Sequence, residues 1–113
     1  MNCLFCDIAS GKIEATKLFD DDDVVAFNDI NPQAPTHILV IPKVHISTIH
    51  DVDDSHYRLL GKIIHVAKQI SKGKGFEEDG YRLVFNVNQK GGQTVYHIHL
   101  HLLGGRQMTW PPG

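Results

Sequence analysis

His97, His99 and His101 occupy every second position of Tyr96-His97-Ile98-His99-Leu100-His101-Leu102-Leu103, with aliphatic residues between them. Successive side chains of an extended chain point to opposite faces. The spacing therefore sends Ile98, Leu100 and Leu102 into a core and lines the other side with imidazoles. Imidazole titrates near neutrality, so such a row offers a nucleophile, proton carriers or metal ligands. At about 3.3 Å per residue the outer two histidines stand roughly 13 Å apart, whereas zinc holds its nitrogen ligands at about 2.1 Å. One ion does not easily take all three. Two readings follow: a division of labour among the three rings, or the exposed polar face of a half-buried strand.

The chain has 113 residues, 42% of them hydrophobic, which predicts a single domain over 1–113 with a core small enough to gain from subunit association. A net charge of −2 supplies no basic field for a nucleic-acid backbone and leaves small phosphorylated ligands open. The first residues lack the basic start and apolar stretch of a signal peptide, and no segment reaches the roughly 18 apolar residues of a membrane helix. The expectation is a cytoplasmic protein that engages neither membrane nor nucleic acid. Cys3 and Cys6 stand too close in sequence to staple a fold; in a reducing compartment they read as thiols or metal ligands.

Along the chain, Leu4 to Ile8 predicts a short helix capped by Asn2 and ending near Gly11. Thr16 to Phe19 and Val24 to Phe27 predict a hairpin whose tip, Asp20 to Asp23, is a solvated acidic run. His37-Ile38-Leu39-Val40-Ile41, between Pro35 and Pro42, is apolar on both faces and predicts a central strand. From Asp53 to Lys72 the period becomes helical: Leu60, Ile63, Ile64 and Ala67 fall at i, i+3, i+4 and i+7, with Asp53 or Ser55 as cap and Gly73 as stop. Tyr81 to Val87 predicts a strand, Asn88 to Gly92 a loop, and Tyr96 to Leu103 the histidine strand. The fold class is α+β, an antiparallel sheet covered by one long helix. Gly91-Gly92-Gln93-Thr94 reads as either an anion-binding concavity or ordinary turn chemistry. His37 joins the histidine row if its strand pairs beside it, and otherwise is a satisfied histidine at a strand end.

The segment His97-Ile98-His99-Leu100-His101-Leu102-Leu103 resembles the histidine-triad motif, His-x-His-x-His followed by two hydrophobic residues. The likeness extends to Asp29-Ile30-Asn31-Pro32-Gln33-Ala34-Pro35-Thr36-His37, Ile41-Pro42-Lys43-Val44-His45-Ile46-Ser47, Gly91-Gly92-Gln93 and the ending Gly104 to Gly113. Practically the whole chain is similar to the Hint branch of the histidine-triad (HIT) superfamily, the histidine-triad nucleotide-binding phosphoramidases. The C-terminal block favours that branch over the Fhit, aprataxin and uridylyltransferase branches.

The resemblance implies a HIT-like fold: a five-stranded antiparallel sheet with one long and one short helix, the sheets joined across a homodimer. It implies hydrolysis of phosphoramidate or acyl bonds at the α-phosphate of purine nucleoside monophosphates, without a catalytic cofactor. On that pattern His99 is the nucleophile, forming a covalent nucleotidyl-imidazole intermediate. His101 contacts phosphate and moves protons, and His37 and His97 complete the polar site. Thr94 and backbone donors near Gly92 and Val95 meet the phosphate charge, while Asn86 and Gln93 help place it. Asp29 binds the ribose; Phe5, Ile8, Ile13, Phe27 and Ile30 wall the base, with ordinary core as the alternative for these apolar residues. Asn28 stands beside the base where the best-known eukaryotic members carry histidine, and Thr94 stands where they carry serine. Trp110 resembles the C-terminal aromatic that meets the partner subunit's site. Cys3 and Cys6, with His45 and His97, match a structural zinc set seen in relatives; a redox-active thiol pair is the other reading. The competing functions are a metal-dependent hydrolase and a non-catalytic purine nucleotide-binding or scaffold protein.

Overall fold

Both faces of His37-Ile38-Leu39-Val40-Ile41 are apolar, and in the computed structural model, which describes residues 3–113, this segment lies in the middle of the sheet. In chain order the elements are helix α1 (Leu4–Ala9), strands β1 (Lys17–Asp20), β2 (Val24–Asn28) and β3 (Thr36–Pro42), the long helix α2 (Tyr57–Gly73), the one-turn helix α3 (Phe76–Asp79), strand β4 (Arg82–Phe85), the one-turn helix α4 (Asn88–Gly91) and strand β5 (Leu100–Gly104). The strands form one antiparallel sheet in the order β1-β2-β3-β5-β4. This is the α+β architecture expected, with one long helix and one short one, supplemented by single turns.

The sheet is apolar on both sides, which explains why β2 and β3 read as continuous hydrophobic runs. Val24, Ala26, Ile38, Val40, Leu100 and Leu102 face α2 and meet Ile63, Val66 and Ala67. Val25, Phe27, Leu39 and Ile41 face the other way and carry Phe5, Ile8 and Ala9 of α1. The expected single covering helix is thus half of the answer, because α1 covers part of the second face. Pairing of β3 with β5 sets Leu39 opposite His101 and His37 opposite Leu103, so His37 and His101 are diagonal neighbours on the α1 side.

Several boundaries differ from those expected. The histidine strand begins at Leu100, not Tyr96: Pro42 ends β3 and has no N–H to extend the ladder, so His97 and His99 lie in the approach to β5. The strand expected over Tyr81 to Val87 is limited to Arg82–Phe85, and Asn88–Gly91 is a helical turn, not an open loop. The Asn2 cap lies outside the described residues; Cys3 caps α1, its Sγ accepting from the Cys6 N–H at 3.3 Å. Asp53 does cap, but it caps the 3-10 turn Asp54–His56 that leads into α2 at Tyr57. The acidic hairpin tip is clamped rather than simply solvated: Lys62 of α2 pairs with Asp21 at 2.6 Å and Asp23 at 2.9 Å, and Lys43 pairs with Asp20 at 2.8 Å. Its own turn is closed by Asp21 Oδ1, which accepts from the N–H groups of Asp23 and Val24.

At the far end of β5, a Cβ on Gly104 would lie 2.6 Å from a ring carbon of Phe76. Gly104→Ala is therefore expected to destabilise the protein by about 1–3 kcal/mol in urea unfolding, through overpacking. Phe76→Ala in the same background should recover part of that loss; a double-mutant cycle without coupling would contradict the contact.

Candidate active site

A carbonyl oxygen can only accept, so the 2.8 Å contact between His99 Nδ1 and the His97 carbonyl puts the His99 proton on Nδ1. In the neutral ring Nε2 is then bare and carries a lone pair. The same logic orders the neighbouring rings. The Gln33 N–H donates to His37 Nδ1 at 3.0 Å, which leaves the His37 proton on Nε2. That proton is donated to His101 Nδ1 at 2.9 Å, so the His101 proton sits on Nε2, a buried nitrogen with no partner in the fold. Asp29 Oδ2 lies 3.4 Å from His37 Nε2 and biases the chain electrostatically. Asp29, His37 and His101 are close enough together for a metal ion. The Gln33 backbone N–H on His37 Nδ1, however, commits His37 Nε2 to its proton, so the trio is a His37–His101 hydrogen bond with Asp29 acting on it electrostatically, not a ligand set.

Burial is the largest influence on His37, His97, His99 and His101 and pushes each below the ordinary histidine value. His101 is pushed furthest, to about 4, with His99 and His37 adding to the effect and Asp29 opposing it. All four rings are neutral at pH 7, which is the state the tautomer assignment describes.

His37, His99 and His101 open onto a cavity of about 540 Å³. Of the residues expected around a nucleotide, Phe5, Ile8, Ile13, Phe27, Asn28, Asp29, Ile30, Thr94 and Val95 line it. Sequence reasoning missed Leu4, Glu14, Ala15, Asn31, Gln33 and Leu39, which line it as well. Among the described lining residues there is no lysine or arginine.

Five expected members lie elsewhere. His97 is fully buried and points away from the cavity into the cysteine cluster, because its Nε2 donates to the Pro42 carbonyl at 2.8 Å. Gln93 turns inward as a loop brace: its Nε2 donates to the carbonyls of Ser47 and Val95, and its Oε1 accepts from the Asn88 N–H. The N–H of Gly92 is already given to Gln89 and that of Gln93 to Asn88, so the concavity expected at these amides is spent on closing α4. Asn86 does not reach the lining, and neither does Trp110, which is 83% exposed.

Behind the cavity, Cys3, Cys6, His45 and His97 each offer a ligand atom, all within 4.8 Å of one another. His97 Nδ1 lies 3.3 Å from Cys3 Sγ and 3.5 Å from Cys6 Sγ, and His45 Nδ1 lies 3.4 Å from Cys6 Sγ. Tetrahedral zinc with ordinary bond lengths requires S···N edges of about 3.6 Å. The second ring nitrogens are engaged too, His97 Nε2 by the Pro42 carbonyl and His45 Nε2 by Ser47 Oγ at 3.1 Å, which leaves both Nδ1 atoms aimed at the thiols. Burial and then Cys3 push the Cys6 thiol up to about 11. A bound cation reverses that, since a coordinating thiol is deprotonated. The donor set fits zinc.

An antiparallel sheet that presents a histidine row, with a bare imidazole nitrogen beside a cavity, defines a histidine-triad protein. Comparison with known proteins gives the same class. The family described as "Scavenger mRNA decapping enzyme C-term binding" matches residues 2–110. The 14 kDa zinc-binding protein of Zea mays is 51% identical over 112 residues, 97% of this chain and 87% of the relative. The purine nucleoside phosphoramidase of Escherichia coli strain K12 is 51% identical over 105 residues, 93% of this chain and 88% of that protein. A HIT family hydrolase from Legionella pneumophila superposes with a TM-score of 0.97 at 64% identity, covering 99% of this chain and 100% of the other. The chain belongs to the histidine-triad (HIT) family and is an enzyme of its hydrolase group.

The depressed His101 value has a measurable consequence for stability. The unfolded chain takes up this proton near 6.5, the folded protein only near 4, so between these values the unfolded state binds more protons and stability rises with pH. The contribution is complete above 6.5 and is lost as pH falls through about 4. In urea titrations across that window, His101→Asn is expected to lose stability less steeply than wild type, by up to about 1.4 kcal/mol per pH unit. Parallel slopes would contradict the assignment.

Proposed function

We propose that the protein is a purine nucleoside phosphoramidase that cleaves phosphoramidate or acyl-phosphate bonds at the α-phosphate of purine nucleoside monophosphates through a nucleotidyl-His99 intermediate. The observation that carries this reading is the His99 Nδ1–H to His97 carbonyl bond, which leaves a neutral ring with an unprotonated nitrogen beside a cavity of nucleotide dimensions. The names of the similar proteins from Escherichia coli and Legionella pneumophila support the reaction class.

In the first half-reaction the His99 Nε2 lone pair forms a bond to phosphorus and the phosphorus–nitrogen bond to the amine breaks. The leaving nitrogen is protonated from solvent before the bond breaks, so the amine departs neutral. His101 Nε2–H, left without a competing partner by the contacts from the Gln33 N–H through His37, donates a hydrogen bond to the reacting phosphate and keeps its proton. In the second half, water attacks phosphorus and its proton leaves with the monophosphate product. The bond to His99 breaks, and its electron pair returns to Nε2. Thr94 and the Val95 backbone supply donors to the phosphate oxygens. The base lies among Phe5, Ile8, Ile13, Phe27 and Ile30, with Asn28 at its edge. Asp29 accepts from the ribose; its Oδ1 already takes the Asn31 N–H and retains acceptor capacity.

The reading includes a structural zinc ion on Cys3, Cys6, His45 and His97, supported by the donor geometry, and assembly as a homodimer. Tyr57 and Ile64, exposed on one side of α2, supply an apolar surface for a second copy.

His99→Ala is expected to abolish turnover of an adenosine phosphoramidate while leaving AMP affinity within about tenfold, roughly 1.4 kcal/mol. Acid-quenched wild type should carry the nucleotidyl group on His99 by mass spectrometry. Persistence of a nucleotidylation burst in the variant, or AMP binding by wild type without amine release, would defeat the proposal.

Metal analysis checks the zinc. Protein purified without chelator or histidine tag should carry stoichiometric zinc that Cys6→Ser loses. A substoichiometric content that does not change with the substitution would remove zinc from the account.

A further inference from the structure

Helix α1 has six residues, about a turn and a half, far too few to be stable alone. Its side chains serve two neighbouring sites. Cys3 and Cys6, one turn apart at its start, belong to the sulfur–imidazole cluster. Phe5 and Ile8, again three residues apart, form the cavity wall. Because the helix is this short, any rotation or fraying that spreads the four donor atoms also withdraws the wall. Phe5 makes the link direct: its ring stands edge-on between the cluster and the catalytic row, with centroids 6.0 Å from His97 and 5.0 Å from His99. A second link runs through His97. Its Nδ1 faces the thiols while its carbonyl holds the His99 proton.

We propose that metal and nucleotide bind cooperatively through α1: a zinc ion on Cys3, Cys6, His45 and His97 raises the affinity of the cavity for nucleotide, and nucleotide raises the affinity of the cluster for zinc by the same factor. The inference rests on the nucleotide reading of the cavity and on the fit of the donor set to zinc. Equality of the two factors is a thermodynamic requirement for binding affinities. The zinc ion thereby acts as a positioning element for the base wall in addition to stapling the chain.

The test starts with zinc-loaded wild-type protein and AMP as the probe. Calorimetry gives the AMP affinity before and after zinc is stripped with a chelator, with circular dichroism verifying that the stripped protein remains folded. The expected result is AMP binding weakened by roughly fivefold or more, restored when zinc is returned, and matched by an equal AMP-dependent increase in zinc affinity against a competing chelator. Should the stripped protein unfold, cobalt-substituted protein replaces it: saturating AMP should perturb the cobalt–thiolate absorption of the cluster. Stripped, folded protein that binds AMP within twofold of the loaded form, or a cobalt spectrum indifferent to AMP, overturns the coupling alone. Loaded protein that fails to bind AMP at all overturns the nucleotide reading, and the coupling with it.

Discussion

One backbone contact decides what the histidine row can do: the 2.8 Å hydrogen bond from His99 Nδ1 to the carbonyl of His97. Had that carbonyl been spent on a sheet ladder, either nitrogen of His99 could carry the proton. It is available because the chain leaves the sheet before β5 begins. Pro42 closes β3, and its own carbonyl takes the His97 Nε2 proton instead of a strand amide. The N–H of Ile98 goes to Ile46 rather than to a neighbouring strand. The irregular approach to β5 thus gives His97 its buried position and His99 its tautomer, which a continuous ladder would not provide.

The sheet supplies the rigidity that this arrangement needs. β3 is the middle strand, buried on both sides, with α2 over one face and α1 over part of the other. Aliphatic side chains of this size contribute about 1.5–3 kcal/mol each when fully buried, so the strands bearing His37 and His101 belong to the most strongly held part of the molecule. Precision at the 2.9 Å contact between these two rings follows from their diagonal placement on paired strands. The polar site occupies the stretch of the α1 face that apolar residues do not fill, and the low polarity around it is also what keeps the imidazoles neutral.

The broad layout was legible in the residues. Alternation of histidine with isoleucine and leucine correctly assigned opposite faces to Leu100, Leu102 and His101, and the doubly apolar run after Pro35 correctly indicated the central strand. Helical periodicity around Ile63 and Ala67 located α2. The details that escaped are those in which one group chooses among several partners. Nothing in Gln33 itself says that its backbone N–H will bond His37 four residues on, or that the Gln93 side chain will brace the loop against Ser47 instead of facing a phosphate. Charge density alone made Asp20 to Asp23 look solvated, since Lys62 lies 39 residues from Asp23 in the chain. His97 was read with its neighbours because alternation specifies a face and not where a ladder starts; at His97, three residues before the ladder begins at Leu100, the rule has lapsed, whereas His99 still keeps to it.

The chemistry of the row depends on where two protons reside, and nitrogen-15 NMR of the histidine rings in the folded protein at neutral pH reads this directly. The expected spectrum has His99 with a protonated Nδ1 and a bare Nε2, and His101 with the opposite tautomer. A His99 ring protonated on Nε2, or on both nitrogens, would contradict this assignment, because no lone pair would then be free on Nε2 for the proposed attack on phosphorus.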